Sequence, residues 1–198
     1  MIAEILSLSA PCLGSQESAL AGVLKRELAL FGVQLNHLTE CGQNQGALQN
    51  ALTEAMERSD MILAVGGGSV MDCCKAVSLQ AVYDGDIWND FWAKPGVFEV
   101  QPLPLGVIVT VTGTGSECNG GAVITNEALK VKTGRDYPEL NPRFALLDPT
   151  YTYSVPKRQM VGGGFDILSH IMETYFSAPN EDNVSDDIME ALMKGVIR

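Results

Sequence analysis

Hydrophobic positions follow two alternating rhythms along this chain. Short apolar runs, "MIAEILSLS", "VQLNHLTEC", "DMILAV", "LGVIVTVT" and "FALLD", have the length and character of buried strands. Between the early runs lie segments with helical spacing. In "ESALAGVLKRELALFG", Leu20, Val23, Leu24, Leu28 and Phe31 share one face, and Gly32 marks the stop. "NQGALQNALTEAMERS" predicts a second helix and "SVMDCCKAVSLQAV" a third, the latter opening directly after a run of glycines. Strands alternating with helices predict an α/β fold, a Rossmann-like parallel sheet with helices on both faces. After Pro156 the rhythm changes. "RQMVGGGFDILSHIMETYF" and "SDDIMEALMKGVIR" are both helical, with no strand between them. The expected division is an α/β domain over residues 1–156 and the incomplete start of an all-helical domain over residues 157–198.

Bulk properties narrow the partners. Of 198 residues 46% are apolar, which supports an ordinary core and argues against global disorder. The formal net charge of -11 argues against a nucleic-acid groove or an anionic membrane surface. It leaves room for a bound dinucleotide, because backbone amides hold phosphates without net positive charge. The five cysteines are odd in number and contain no CxxC, so a reduced, cytoplasmic setting is expected. The first residues lack a basic segment and carry Glu4, unlike a signal peptide, and no apolar run is long enough to span a bilayer.

Two glycine loops carry the candidate chemistry. "AVGGGSVMDCCK" places Gly66, Gly67 and Gly68 between a strand and a helix, followed by Ser69. Such a turn lets the backbone approach a ligand and points free helix-start N–H groups at a phosphate. It lacks GxGxxG, since Met71 stands at the third glycine position, and it lacks the GK[ST] of a P-loop. By residues alone, a phosphate site and a tight turn without a ligand weigh equally. "VTVTGTGSECNGG" is the second loop, where Thr112, Thr114 and Ser116 suit diphosphate or ribose oxygens, or simply cap turns. Both loops leave the carboxyl ends of predicted strands, the edge at which open α/β sheets bind ligands.

Other chemistry-bearing residues have plainer readings. Lys75 and Lys132 are expected to be solvated, with a phosphate or ribose contact as the minor alternative. Cys73 and Cys74 are expected to face the core as small apolar residues. His37 reads as structural, and "EDNVSDD" as a loop leading into a helix start. No G-x-S-x-G elbow supports a serine hydrolase. Asp166 and His170, four apart on a predicted helix, could grip a metal from one side. An isolated D-x-x-x-H is more often a surface pair.

From about Met61 onward, "GGGSVMDCCK", "TGTGSE", "GGAVITN", "FALLDPTYTYSVP" and "GGGFDILSHIMETYF" occur in the order and spacing of the iron-containing (group III) alcohol dehydrogenases. The chain resembles that family, in particular its butanol dehydrogenase and aldehyde reductase branch. The resemblance implies hydride transfer between NAD or NADP and an aldehyde or primary alcohol at a divalent iron or zinc. It implies that Gly67, Gly68 and Ser69 touch the diphosphate, that Thr112, Thr114 and Ser116 line the cofactor cleft, and that Lys132 reaches the ribose side. Asp166 and His170 match the first two metal ligands. The family's other two ligands are histidines further along a longer helical region. Metal affinity and turnover of this chain alone are therefore expected to be poor, and the exposed faces of its helices point to homo-oligomer formation.

Residues 1–67 also resemble the molybdopterin-binding fold of competence-damage-inducible proteins, with that family's functional pieces replaced by Ser9, Ala10 and Pro11, by Glu17 and Ser18, and by Gly66 to Ser69. A different origin for this segment is the corresponding expectation. A non-catalytic nucleotide- or molybdopterin-binding-like module is the alternative function.

Overall fold

The computed structural model describes residues 2–8, 26, 29, 34–41, 60–177 and 183–198. The helices expected over 17–32 and 44–59 lie outside the described residues, apart from Arg26 and Ala29, which are helical. In chain order the described strands and α-helices are β1 (Ile2–Leu8), β2 (Gln34–Cys41), β3 (Met61–Gly66), α1 (Gly68–Gln80), β4 (Leu105–Val109), β5 (Gly121–Asn126), β6 (Val131–Asp136), β7 (Phe144–Leu146), α2 (Lys157–Tyr175) and α3 (Val184–Ile197).

The main sheet has the order β2-β1-β3-β4-β7 and every pairing is parallel. Registers such as Ile5↔Leu63, Ala64↔Val107 and Ile108↔Leu146 align the apolar centres of the strands. β4 is buried throughout and β3 nearly so, which is why these runs read as continuous apolar stretches rather than alternations. The chain passes outward from β1 to β2, then returns to place β3 on the other side of β1. That reversal makes the carboxyl ends of β1 and β3 the crevice where such sheets take ligands.

β4 ends at Val109, before the hydroxyl-rich stretch that its predicted run included. Thr110 still donates its N–H to Gly66 O at 3.0 Å, so the two strands release their loops side by side.

α1 is covered on two sides. Met71 and Cys74 pack against Ile62, Ala64, Leu105, Val107 and Val109 of the sheet. Ala76 and Leu79 pack the other way, against Phe91, Trp92, Ala122 and Leu140. This second cluster was not foreseen from the sequence, nor was the β5–β6 hairpin that closes it, paired through Val123↔Gly134 and Thr125↔Lys132. Aromatic side chains hold the cluster together. Phe91 meets Tyr83 and Phe98 edge-on at 5.0 and 4.8 Å, and Trp92 Nε1 donates to Ala122 O at 3.1 Å.

α2 and α3 pack on each other, and none of their residues is buried. Phe165, Phe176, Val184 and Ile197 are each about 70% exposed. Asn183 caps α3 by accepting from Asp186 N at 3.1 Å, with Asp186 and Asp187 in the first turn, as the acidic run suggested; Glu181 and Asp182 lie outside the described residues. Among the described residues no helix is long and apolar enough to cross a membrane.

Candidate functional site

The first glycine loop follows from simple geometry. β3 ends at Gly66 and α1 starts at Gly68, so the chain turns within one residue. Gly67 holds the N-cap position without a side-chain cap, and no acidic residue stands in the first turn. The positive end of the helix dipole is therefore left uncompensated, a setting that favours an anion. Gly68 is buried while Ser69 at its side is exposed.

The second loop meets the first directly. A Cβ on Gly68 would lie 2.5 Å from Thr114 Cγ2 and 2.6 Å from its Oγ1, and one on Gly67 would lie 3.2 Å from Val111 Cβ. Glycine at 67 and 68 thus permits the two loops to touch. The second loop needs its own glycines for a different reason. Gly113 has φ +147° and Gly115 φ +65°, backbone that side-chain-bearing residues rarely adopt. Thr112 and Thr114 are exposed beside this contact.

Ser116 has another environment. It is 3% exposed, and its hydroxyl donates to Asp72 Oδ1 at 2.7 Å while accepting from Lys75 Nζ at 2.7 Å. Its side chain is engaged inside the protein. Lys75 corrects the expectation of a solvated lysine, for its exposure is 0%. Its ammonium also donates to Ser116 O at 2.7 Å and Gly121 O at 2.8 Å, with Asn119 Oδ1 further off at 3.4 Å. Three short bonds use all three of its N–H groups. Burial pulls the Lys75 pKa below its ordinary value, opposed by the negative charges of Asp72, Asp136 and Glu117. Asp72 completes the arrangement by accepting from Val123 N at 3.0 Å.

The signal for this network was present in the sequence. Asp72 and Lys75 are charges set three apart in the otherwise apolar "VMDCCKAVSL". Charges on a helix buried on two sides must find partners. Beside them, Cys74 is buried and its thiol is pushed up to about 12, first by burial and then by Cys73. Cys73 is only half-buried, and its thiol is raised by burial and by Asp72.

A cavity of about 390 Å³ opens beside the loops, lined among others by Thr114, Asn119, Gly134, Arg135 and Asp136. Its wall joins the second loop to the β5–β6 hairpin. Lys132 stands on that hairpin opposite Thr125 and is exposed.

Asp166 and His170 share one face of α2. Asp166 Oδ2 lies 3.9 Å from His170 Nε2, Glu173 Oε2 lies 3.8 Å from Nδ1, and all three side chains are mostly exposed. Carboxylate and imidazole are suitable donors for divalent iron or zinc. Among the described residues, however, no group of three or more His, Cys, Asp or Glu is placed to hold a metal ion. His37 lies on β2. The donor types fit such an ion, but their number leaves its coordination open.

A parallel sheet with two touching glycine loops at the carboxyl ends of adjacent strands defines a Rossmann-like class. Within it, the chain belongs to the iron-containing alcohol dehydrogenase family, whose model matches residues 14–149. It is 41% identical over 139 residues to the NADH-dependent butanol dehydrogenase A of Clostridium acetobutylicum, covering 70% of this chain and 35% of that protein. It is 36% identical to the NADPH-dependent aldehyde reductase of Escherichia coli, covering 76% of this chain and 39% of that one. A solved NADH-dependent butanol dehydrogenase A from Thermotoga maritima superposes with a TM-score of 0.80 at 31% identity, over 99% of this chain and 48% of that chain. The chain thus matches about a third of the curated relatives' length and about half of the solved one. The family match begins at residue 14 and so takes in most of residues 1–67.

Proposed function

We propose that this chain forms the cofactor-binding part of an NAD- or NADP-dependent oxidoreductase that moves hydride between the nicotinamide and an aldehyde or primary alcohol. The observation that carries this reading is the contact between Gly68 and Thr114, which sets an uncapped helix start against a hydroxyl-bearing loop. A bound dinucleotide would supply the hydride chemistry itself. The chain's own residues would do the holding. The Gly67–Ser69 backbone offers N–H groups and a positive helix end to the diphosphate. Thr112 and Thr114 offer hydroxyls along the same cleft, and Lys132 offers a cation from the hairpin toward the ribose. Ser116, its hydroxyl already engaged, contributes by holding the loop in shape.

Asp166 and His170 would contribute two donors to a divalent metal. A pair leaves affinity low and geometry loose. Carbonyl reduction by this chain alone is expected to be slow. The test is NADH or NADPH oxidation with butyraldehyde, with zinc or ferrous iron added. Robust turnover would overturn the expectation of impaired activity.

A second reading, a nucleotide- or molybdopterin-binding module without chemistry, is favoured by the exposure of Asp166 and His170. Calorimetric titration separates the two. Binding of NADH or NADPH that is abolished by Ser69→Trp supports the dehydrogenase cleft. Binding of molybdopterin alone supports the module. Soluble substrates and self-association are the partners this proposal requires or allows, and a cytoplasmic setting accords with it.

A further inference from the structure

We propose that Lys75 and Asp72 are a positioning pair that sets the spacing between the two glycine loops, acting through Ser116. This inference rests on the cofactor cleft proposed above, but its structural part can be tested without a cofactor. Among the described residues, every side-chain hydrogen bond from α1 to the 113–123 segment comes from these two residues. α1 also carries Gly68 at its start, so one rigid helix presents the first loop and grips the second.

The grip has a specific shape. Lys75 Nζ donates to Ser116 Oγ, and Ser116 Oγ donates to Asp72 Oδ1, each at 2.7 Å. The serine hydroxyl therefore bridges the two charges. Lys75 reaches the carbonyls of Ser116 and Gly121, one on each side of the turn, and Asp72 reaches Val123 N at the head of the hairpin. The segment needs such fixing, because Gly113 and Gly115 give its backbone more freedom than any other residue would.

A buried charge pair is a poor source of stability, since apolar side chains of similar volume commonly replace one at no loss. Directional bonds to named backbone atoms instead select one arrangement of a glycine-rich loop from several that pack equally well. Placing the ammonium there costs desolvation, which the depressed Lys75 pKa also reflects. The function of the pair is thus geometry rather than cohesion.

Hydrogen–deuterium exchange on the 198-residue chain tests this, comparing the native protein with Lys75→Met, Ser116→Ala and Ser116→Thr. In Lys75→Met the amides of 113–121 should exchange about tenfold faster or more, while those of 62–66 and 105–109 keep their protection. Ser116→Ala, which leaves both charges in place, should give the same local loosening. Ser116→Thr, which keeps the hydroxyl, should restore slow exchange. Unchanged protection at 113–121 in Lys75→Met and Ser116→Ala would overturn the proposal, as would equal loss of protection across the whole sheet. If Lys75→Met does not fold, the two serine variants decide the matter alone. NADH and NADPH titrations on the same samples should give binding about tenfold weaker in the loosened variants. Failure of the native chain to bind either would remove the dinucleotide reading, and the exchange result would still decide the clamp.

Discussion

At the scale of single residues, glycines 68 and 113 differ in what they prevent. At Gly68 the backbone is ordinary and the space is taken, with Thr114 within 2.6 Å of where a Cβ would be. Gly68→Ala must push Thr114 aside, at a cost of about 1–3 kcal/mol by overpacking. Thr114→Ala in the same chain should recover most of that loss, a coupling that a double-mutant cycle in urea would measure. At Gly113 the space is open but φ is +147°. Gly113→Ala should cost about 1 kcal/mol or more through backbone strain, and no neighbouring truncation should relieve it.

Cys74 gives a pH prediction at the same scale. Its folded thiol is raised to about 12 from an ordinary 9.0, so above pH 9 the unfolded chain loses this proton first. Stability should then fall with rising pH, by up to about 1.4 kcal/mol per pH unit from this group, until the folded thiol also titrates. Cys74→Ala should flatten the alkaline slope in urea titrations between about pH 9 and 11. A slope identical to that of the native chain would refute the assignment.

At the scale of elements, helix α1 is the organiser. Its apolar positions were legible as a helix because they repeat at helical spacing, and its start was legible from the glycines before it. Its second buried side was not legible, because the aromatic segment and the hairpin that cover it come together only in three dimensions. Phe91 is the centre of that cover, 4% exposed and in ring contact with Tyr83, Phe98 and Tyr137. Phe91→Ala should destabilise the domain by about 3–5 kcal/mol, read as a fall in the urea midpoint. Asn183→Ala removes the α3 cap and should cost about 1 kcal/mol, confined to faster amide exchange in the first turn of that helix.

At the scale of the whole molecule, the α/β part and the helical pair differ in how they are covered. The sheet and α1 carry the buried residues, whereas Phe165, Ile188, Leu192 and Ile197 on α2 and α3 are each about half exposed or more. Apolar surface of that extent on one helical pair favours association. Light scattering of the isolated chain should show concentration-dependent self-association, and Phe165→Glu with Ile197→Glu should suppress it without altering the sheet's unfolding midpoint. Equal scattering from both forms would dismiss these helices as the sticky surface.

The sequence by itself determined the alternation of strands and helices, the change of rhythm after Pro156 and the positions of both glycine loops. Those features are local: apolar spacing and the conformational freedom of glycine act over a few residues at a time. Only the tertiary structure decided that Gly68 rests against Thr114, that Ser116 turns inward, and that Lys75 is buried rather than solvated. Each of those outcomes depends on which surface a distant segment covers. A lysine's cost of burial is offset or not by partners some forty residues away, a distance that chain periodicity does not encode.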